Sequence, residues 1–160
     1  MPKTKNKVLI AILQYNAENH IEEVLNRLNE SFIKQYDYKT EIVIFDDASA
    51  DCGTEVAQKK LEQLKTNYKI LKNPANQGYG GNQKLAFHYA VKYNFDVIVI
   101  LHGDGQYPPE HINNLIEPII EDKSDAVFGS RMISKKSALK GGMPIYKLIG
   151  NIILTKIQNI

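Results

Sequence analysis

Two short stretches of this chain hold the residue types best suited to ligand chemistry. The first is His102-Gly103-Asp104-Gly105-Gln106. If extended backbone continues through it, residues 102, 104 and 106 face one way, because side chains along a strand alternate with period two. An imidazole, a carboxylate and an amide oxygen would then converge on one point. Mg²⁺ and Mn²⁺ are commonly held by one or two carboxylates together with the phosphates of a substrate. Gly103 and Gly105 would leave room for a ligand beside the backbone. The competing reading is a Gly-Asp-Gly turn in which Asp104 caps the segment leading into Pro108.

The second stretch is Asp46-Asp47-Ala48-Ser49-Ala50-Asp51. A carboxylate such as Asp47 can accept hydrogen bonds from a base N–H or a ribose hydroxyl. Asp46 beside it is either a second ligand group or a structural acid. Ser49, Asp51 and Thr54 suit turn bonds and the cap of a following helix. Gly78-Tyr79-Gly80-Gly81 resembles a phosphate-cradling loop only weakly, since it lacks the spacing of G-x-G-x-x-G or of a P-loop. A glycine turn entering a helix explains it more simply, with anion attraction at the helix start as an addition. Arg131 either forks onto a phosphate or sits in a surface ion pair. Cys52, His20, His88 and His111 show no ligand spacing.

These residues need a scaffold, and the hydrophobic pattern supplies one. Apolar or β-branched runs at Val8–Leu13, Glu41–Phe45, Tyr68–Leu71, Asp96–Leu101 and Asp125–Gly129 read as five strands. Their starts lie about one strand-plus-crossover unit apart, the ~30 residues of a βαβ repeat. Between them, Ile21, Val24, Leu25 and Leu28 fall at helical spacing, as do Leu85, Ala86, Tyr89 and Ala90, and Ile112, Leu115, Ile116 and Ile119. Val56, Lys60, Leu61 and Leu64 are a weaker case. Pro108-Pro109 fits a first helical turn. Segments 8–13 and 97–101 are continuously apolar, as in strands covered on both faces. The expectation is an α/β fold with a mostly parallel sheet. In such a sheet ligands bind beyond the carboxyl ends of the strands, which is where both acidic stretches and the glycine cluster fall.

Length and composition narrow the class further. The 160 residues suit one domain spanning 1–160. Twenty Lys+Arg against eighteen Asp+Glu leave +2, which argues against a nucleic-acid partner. A single cysteine excludes an internal disulfide and a cysteine metal cluster. The longest apolar run, Val8–Leu13, falls far short of the ~20 residues that cross a bilayer. Together with a polar N-terminus this points to a cytoplasmic setting. Residues 133–144 read as a polar, Gly-containing loop. The stripe Ile145, Ile149, Ile152, Ile153, Ile157 and Ile160 reads as a terminal helix over 145–160. That helix either joins the core or serves a membrane surface or partner.

Five stretches in order, VLIAILQYNAENHIEEVL, EIVIFDDASADCGTEV, NQGYGGNQKLAFHYA, DVIVILHGDGQYPPEHI and SDAVFGSRM, are similar to those of family-2 glycosyltransferases with the nucleotide-sugar-binding type A fold. Among these, the chain most resembles the dolichyl- and polyprenyl-phosphate sugar transferases. The resemblance implies transfer of a sugar, with inversion, from a UDP- or GDP-linked donor to an acceptor such as a polyprenyl phosphate. It places Leu13, Tyr15 and Glu18 at the nucleotide, with Asp47 reading the base, Asp46 beside it, and Gly78 and Gly80 nearby. Asp104 matches the last acid of the family's Asp-x-Asp metal signature, Gln106 a position that assists the metal, and Arg131 a basic residue near the phosphates. Mn²⁺ or Mg²⁺ is the implied cofactor. His102 departs from the pattern, since it stands where the first acid belongs, and imidazole suits Mn²⁺ better than Mg²⁺. Similar enzymes continue past the position of residue 160 with acceptor-binding elements, so this chain is expected to lack that part. Peripheral attachment to the cytoplasmic face of a membrane, or a dimer, accompanies the resemblance. The rival reading is a non-catalytic nucleotide-sugar-binding protein of the same fold. A nucleotidyltransferase or a dinucleotide oxidoreductase would need a Gly-rich loop after the first strand, and Leu13-Gln14-Tyr15-Asn16 is not one.

Overall fold

The structure is a computed structural model that describes residues 6–64, 66–130 and 144–158, with Leu148 and Gln158 described by their backbone alone. Four strands are present: β1 (Lys7–Gln14), β2 (Lys39–Asp46), β3 (Tyr68–Lys72) and β4 (Val97–His102). All pair in parallel, in the order β3-β2-β1-β4. The helices are α1 (Ile21–Leu28), α2 (Gly53–Leu64), α3 (Gly78–Lys92), α4 (Ile112–Ile120) and α5 (Ile145–Gln158). A π-helical turn at Asn29–Ile33 extends α1, and a 3₁₀ turn at Pro109–His111 leads into α4. Pro109 opens that turn, where the missing N–H costs no hydrogen bond.

Strand β1 is central and explains its own continuous hydrophobicity. Val8, Ile10 and Ile12 pack with α1, α2 and α4 on one face, while Leu9, Ala11 and Leu13 pack with α3 on the other. The sequence of β4 suggests the same, but its burial alternates. Val97, Val99 and Leu101 are buried, whereas Ile98 and Ile100 are only partly covered. The reason is position, because β4 lies at the edge of the four strands, with β1 as its ladder neighbour. On the opposite edge β3 is short and carries Lys69 and Lys72, both features that blunt an exposed edge.

Asp125–Gly129 is not a strand: residues 126–130 have no regular structure, and Phe128 is 87% exposed. A strand draws its hydrogen bonds from a neighbour, which a run of three apolar residues cannot guarantee. In α3 the stripe also shifts, since Leu85 is exposed and the buried positions are Asn82, Ala86, Tyr89 and Ala90. The chain divides into two compact units, Met1–Val127 and Phe128–Ile160. The first holds the sheet and α1–α4; the second holds α5. Among the described residues, no helix is long and apolar enough to cross a membrane.

Candidate functional site

The strand order reverses between β1 and β4, and the crossover through α3 passes to the other face of the sheet. That switch point leaves a crevice beyond the carboxyl ends of the strands. A cleft of about 400 Å³ lies there, with walls formed by Tyr15 after β1, Asp47 after β2, Tyr79 in α3, and His102 and Asp104 at the end of β4. A wider hollow of about 560 Å³ lies at the amino end of β4, between Asn6, Asp96 and Asp122–Asp125. We place the site in the smaller cleft, because the loops that converge there carry the acidic and glycine stretches.

Asp46 builds the rim from below. It is fully buried and accepts from Gln14 Nε2 at 3.0 Å, the Ser49 backbone N–H at 2.9 Å and Thr54 Oγ1 at 3.0 Å. Burial alone would raise its pKa, but the bonds from Ser49, Thr54 and Gln14 outweigh that and hold the carboxyl below its ordinary range. Asp46 therefore serves as a strut of this rim, its carboxylate already occupied by three donors. Glu18, an exposed residue of the loop after β1, also makes bonds within the protein. Its carboxylate accepts the Cys52 N–H at 3.2 Å, and its own N–H donates to Asp51 at 2.8 Å. It ties the loop after β1 to the loop after β2. Asp51 also accepts the Gly53 N–H at 3.1 Å and so starts α2, while the Ser49 hydroxyl accepts the Asn16 N–H at 2.9 Å. The Thr54 hydroxyl donates to Asp46.

Asp47 sits differently. It is 3% exposed and lines the cleft. Asn73 Nδ2 and the Gln77 backbone N–H both donate to its Oδ1 at 2.8 Å. Oδ2 is thus the oxygen left to a donor within the cleft. Asn82 stands behind it, accepting from Asn73 at 3.2 Å and donating to the Phe45 carbonyl at 2.8 Å. Leu13 and Tyr15 line the same cleft, Leu13 nearly buried and Tyr15 56% exposed. Asn73 and Asn82 were not evident as site residues in the sequence. The signal for Asn82 was a polar residue four and seven positions before Ala86 and Tyr89, on the face that α3 buries.

Beyond β4 the extended geometry stops. Residues 103–105 turn, and Gly105 adopts φ +74°, a left-handed conformation that favours glycine. Asp104 Oδ1 accepts the Gln106 N–H at 3.0 Å, a local turn bond. The alternation of 102, 104 and 106 is thereby lost: His102 and Asp104 line the cleft, and Gln106 does not. The space at Gly103 is taken by the protein itself, for a Cβ there would lie 3.2 Å from Ala17 Cβ. His102 packs at 4.3 Å from the Tyr107 ring and 5.2 Å from the Tyr79 ring. Burial, with Tyr107 nearby, raises the Tyr79 hydroxyl above its usual pKa and keeps it a donor. Outside the cleft, Arg27 forks onto Glu110 at 2.7 and 2.9 Å and pins the end of this loop to α1. That hydrogen bond raises the Arg27 pKa and holds Glu110 below its usual range.

Gly78 borders the cleft at φ +70°, but Gly78 and Gly80 have open space where a Cβ would be. The glycines belong to the first turn of α3 and not to a loop before it. Gly81 is the sterically tight one, with Gln77 Cβ 2.7 Å from a built Cβ. Arg131 and most of the 133–144 loop lie outside the described residues. No group of three or more His, Cys, Asp or Glu among the described residues is placed to hold a metal ion. The donors present do fit an ion whose coordination a substrate completes. Asp104 is exposed at the cleft and uses only Oδ1 in its turn bond, with His102 beside it.

Comparison with known proteins agrees with this geometry. The profile of the family described as Glycosyl transferase family 2 matches residues 9–156. The UDP-N-acetylglucosamine–dolichyl-phosphate N-acetylglucosaminyltransferase of Methanococcus voltae is 31% identical, over 92% of this chain and 60% of its own length. The dolichol-phosphate mannosyltransferase of Pyrococcus furiosus is 32% identical, over 96% of this chain and 43% of its own. The chain thus spans about half the length of the curated relatives it matches. Among solved structures, mannosyltransferase PcManGT from Pyrobaculum calidifontis, in complex with GDP-Man and Mn²⁺, superposes with a TM-score of 0.54 at 23% identity, covering 69% of this chain and 31% of that one. A structure of S. aureus TarS gives 0.57 at 20% identity, covering 81% and 40%.

Proposed function

The chain belongs to glycosyl transferase family 2 and has its type A fold, and from that premise we propose that the cleft binds a nucleotide-diphosphate sugar for transfer to a polyprenyl phosphate. One observation carries the reading. An acid with a free oxygen, Asp47, and an exposed acid, Asp104, open into the same cleft from opposite sides of the switch point. The first suits a base or ribose donor, and the second suits the cation-bearing end of a diphosphate.

Asp47 Oδ2 accepts from the nucleoside, held in place by Asn73 and the Gln77 N–H on its other oxygen. Tyr15 and Tyr79 offer ring faces to the bound nucleotide. A divalent ion on Asp104, with His102 beside it, would supply positive charge against the diphosphate leaving group. Arg131 is assigned the same electrostatic task by its place in the family pattern. A phosphate acceptor is already ionised and needs no general base. The relatives from M. voltae and P. furiosus are named for dolichyl-phosphate acceptors, which supports a lipid phosphate here. Such an acceptor requires work at a bilayer surface.

The test begins with calorimetry of the chain against UDP- and GDP-sugars, each with Mn²⁺, Mg²⁺ or chelator. It continues with transfer of labelled sugar to a polyprenyl phosphate. Binding of one nucleotide series and label in the lipid fraction are expected. Absence of binding to every nucleotide sugar would sink the proposal; binding without transfer would leave the non-catalytic reading.

A further inference from the structure

Asp47 offers the cleft only half of its carboxylate. Oδ1 already accepts two bonds of 2.8 Å, from Asn73 Nδ2 and from the Gln77 backbone N–H. Each oxygen of an ionised carboxyl has about two acceptor positions, so Oδ1 is filled and Oδ2 alone remains for a ligand. Asn73 is held in that role, because its Nδ2 also donates to Asn82 Oδ1 at 3.2 Å, and Asn82 is anchored on the Phe45 carbonyl at 2.8 Å.

The bond from the Gln77 N–H also brings the preceding residue, Asn76, next to Asp47. Asn76 is exposed and lines the same cleft. Its Oδ1 accepts the Gly78 N–H at 2.9 Å. Only the amide oxygen can meet an N–H, so this bond fixes the orientation of the amide and makes Nδ2 a donor. This wall of the cleft thus presents one acceptor atom and one neighbouring donor.

The nucleobases differ in how they meet such a wall. Uracil carries a single ring donor, N3–H, beside the O4 carbonyl. Guanine carries O6 followed by two donors, N1–H and the 2-amino group, which call for both oxygens of a carboxylate, as the fork of an arginine does. Adenine and cytosine turn an unprotonated ring nitrogen toward the acid. We infer that the cleft selects uridine nucleotides over guanosine nucleotides, with uracil N3–H donating to Asp47 Oδ2 and Asn76 Nδ2 donating to O4. Guanine would leave one donor unmet, because Asn73 and the Gln77 N–H occupy the second oxygen. Asn73 is then a positioning residue for specificity. The inference rests on the proposed function and narrows its sugar donors to one base.

The experiment is calorimetric titration of the whole chain with UDP, GDP, CDP and ADP, all with Mn²⁺. UDP should bind at least about tenfold more tightly than each of the others, the scale of one unmet or opposed polar group. UDP methylated at N3 should not bind. 4-Thio-UDP, whose sulfur is a poor acceptor, should bind the parent about fivefold more weakly than UDP, the scale of one neutral hydrogen bond. That sulfur penalty should vanish in Asn76→Ala. It should also vanish in Asn76→Asp, which keeps an acceptor for the Gly78 N–H and so preserves the turn. Asn73→Ala, by freeing a position on Oδ1, should narrow the preference for UDP over GDP about fivefold. GDP binding as tight as that of UDP overturns the inference and leaves the nucleotide cleft standing. So does a sulfur penalty of equal size in the parent and both Asn76 variants. Failure of every nucleotide to bind removes the proposed function, and the inference with it.

Discussion

The loops after β2 and after β4 border the same cleft and are built in opposite ways. The loop after β2 is tied inward. Asp46 gathers Gln14, Ser49 and Thr54, while Asn16 and Glu18 bond across to Ser49, Ala50, Asp51 and Cys52. The loop after β4 is fastened at its ends, by the Gly103 N–H to the Leu13 carbonyl and by Glu110 to Arg27. Between those points Asp104 and Gln106 are exposed and bonded to each other. Under the proposed function the difference amounts to a division of labour. A group that reads a nucleoside by direction must be held before the ligand arrives, and a carboxylate that meets a cation gains from staying open to water and phosphate.

The largest test is aimed at the strut. Asp46→Ala leaves three donors without their buried acceptor and should cost about 3 kcal/mol, since each unmet buried group costs roughly 1–3 kcal/mol. Urea unfolding measures it, and a loss under ~1 kcal/mol would mean the loop does not depend on Asp46. Because the folded-state pKa of Asp46 is depressed, its contribution is complete above the ordinary carboxylate pKa and fades as acid approaches the lowered value. Acid titration of stability should therefore be shallower in Asp46→Asn than in the parent.

Next comes Asp47→Ala, which should weaken nucleotide binding about thirtyfold, the ~2 kcal/mol of a hydrogen bond to a charged acceptor. It should also lose ~1 kcal/mol of stability, because Asn73 and the Gln77 N–H lose their partner. Calorimetry and unfolding of the same variant separate the two effects; unchanged affinity would remove Asp47 from the nucleoside site.

Asp104→Asn reverses that pattern. Stability should move by less than ~0.5 kcal/mol, as for an exposed position. The gain in nucleotide-diphosphate affinity that Mn²⁺ gives the parent should shrink at least about tenfold, since hard cations are held chiefly by charged oxygens. An equal Mn²⁺ effect in both proteins would place the ion elsewhere.

The smallest effect concerns backbone strain within the tied loop. Ala48 adopts φ +61°, in the left-handed region that costs an L-residue ~1–2 kcal/mol. Ala48→Gly relieves this but adds unfolded-chain entropy, so a net gain of about 0.5 kcal/mol is expected in thermal unfolding. A loss would show that the loop pays nothing for that conformation.

Much of this was legible without coordinates. Strands β1 to β3 and the buried face of α1 follow from runs and spacings that only one burial pattern satisfies, as Ile21, Val24, Leu25 and Leu28 show. The order of five acidic and glycine-containing stretches identified the family. What failed shared a cause. Asp125–Gly129, the second face of β4 and the alternation past His102 were each inferred from local sequence, although each depends on a neighbour or a turn that local sequence does not specify.

By itself the sequence determined the α/β class, the placing of the acidic and glycine stretches beyond the carboxyl ends of the strands and the basic, acid-free character of residues 126–160, because periodicity, order and charge are properties of the chain. The tertiary structure alone decided which of two adjacent acids is strut and which faces the cleft. Asp46 and Asp47 are chemically identical and differ only in the pleat, which sends one side chain toward Gln14, Ser49 and Thr54 and the other toward Asn73 and α3. It likewise put Asn82, from a helix 35 residues further along, behind Asp47 through Asn73. Such a contact exists only once the crossover has carried α3 to that face of the sheet.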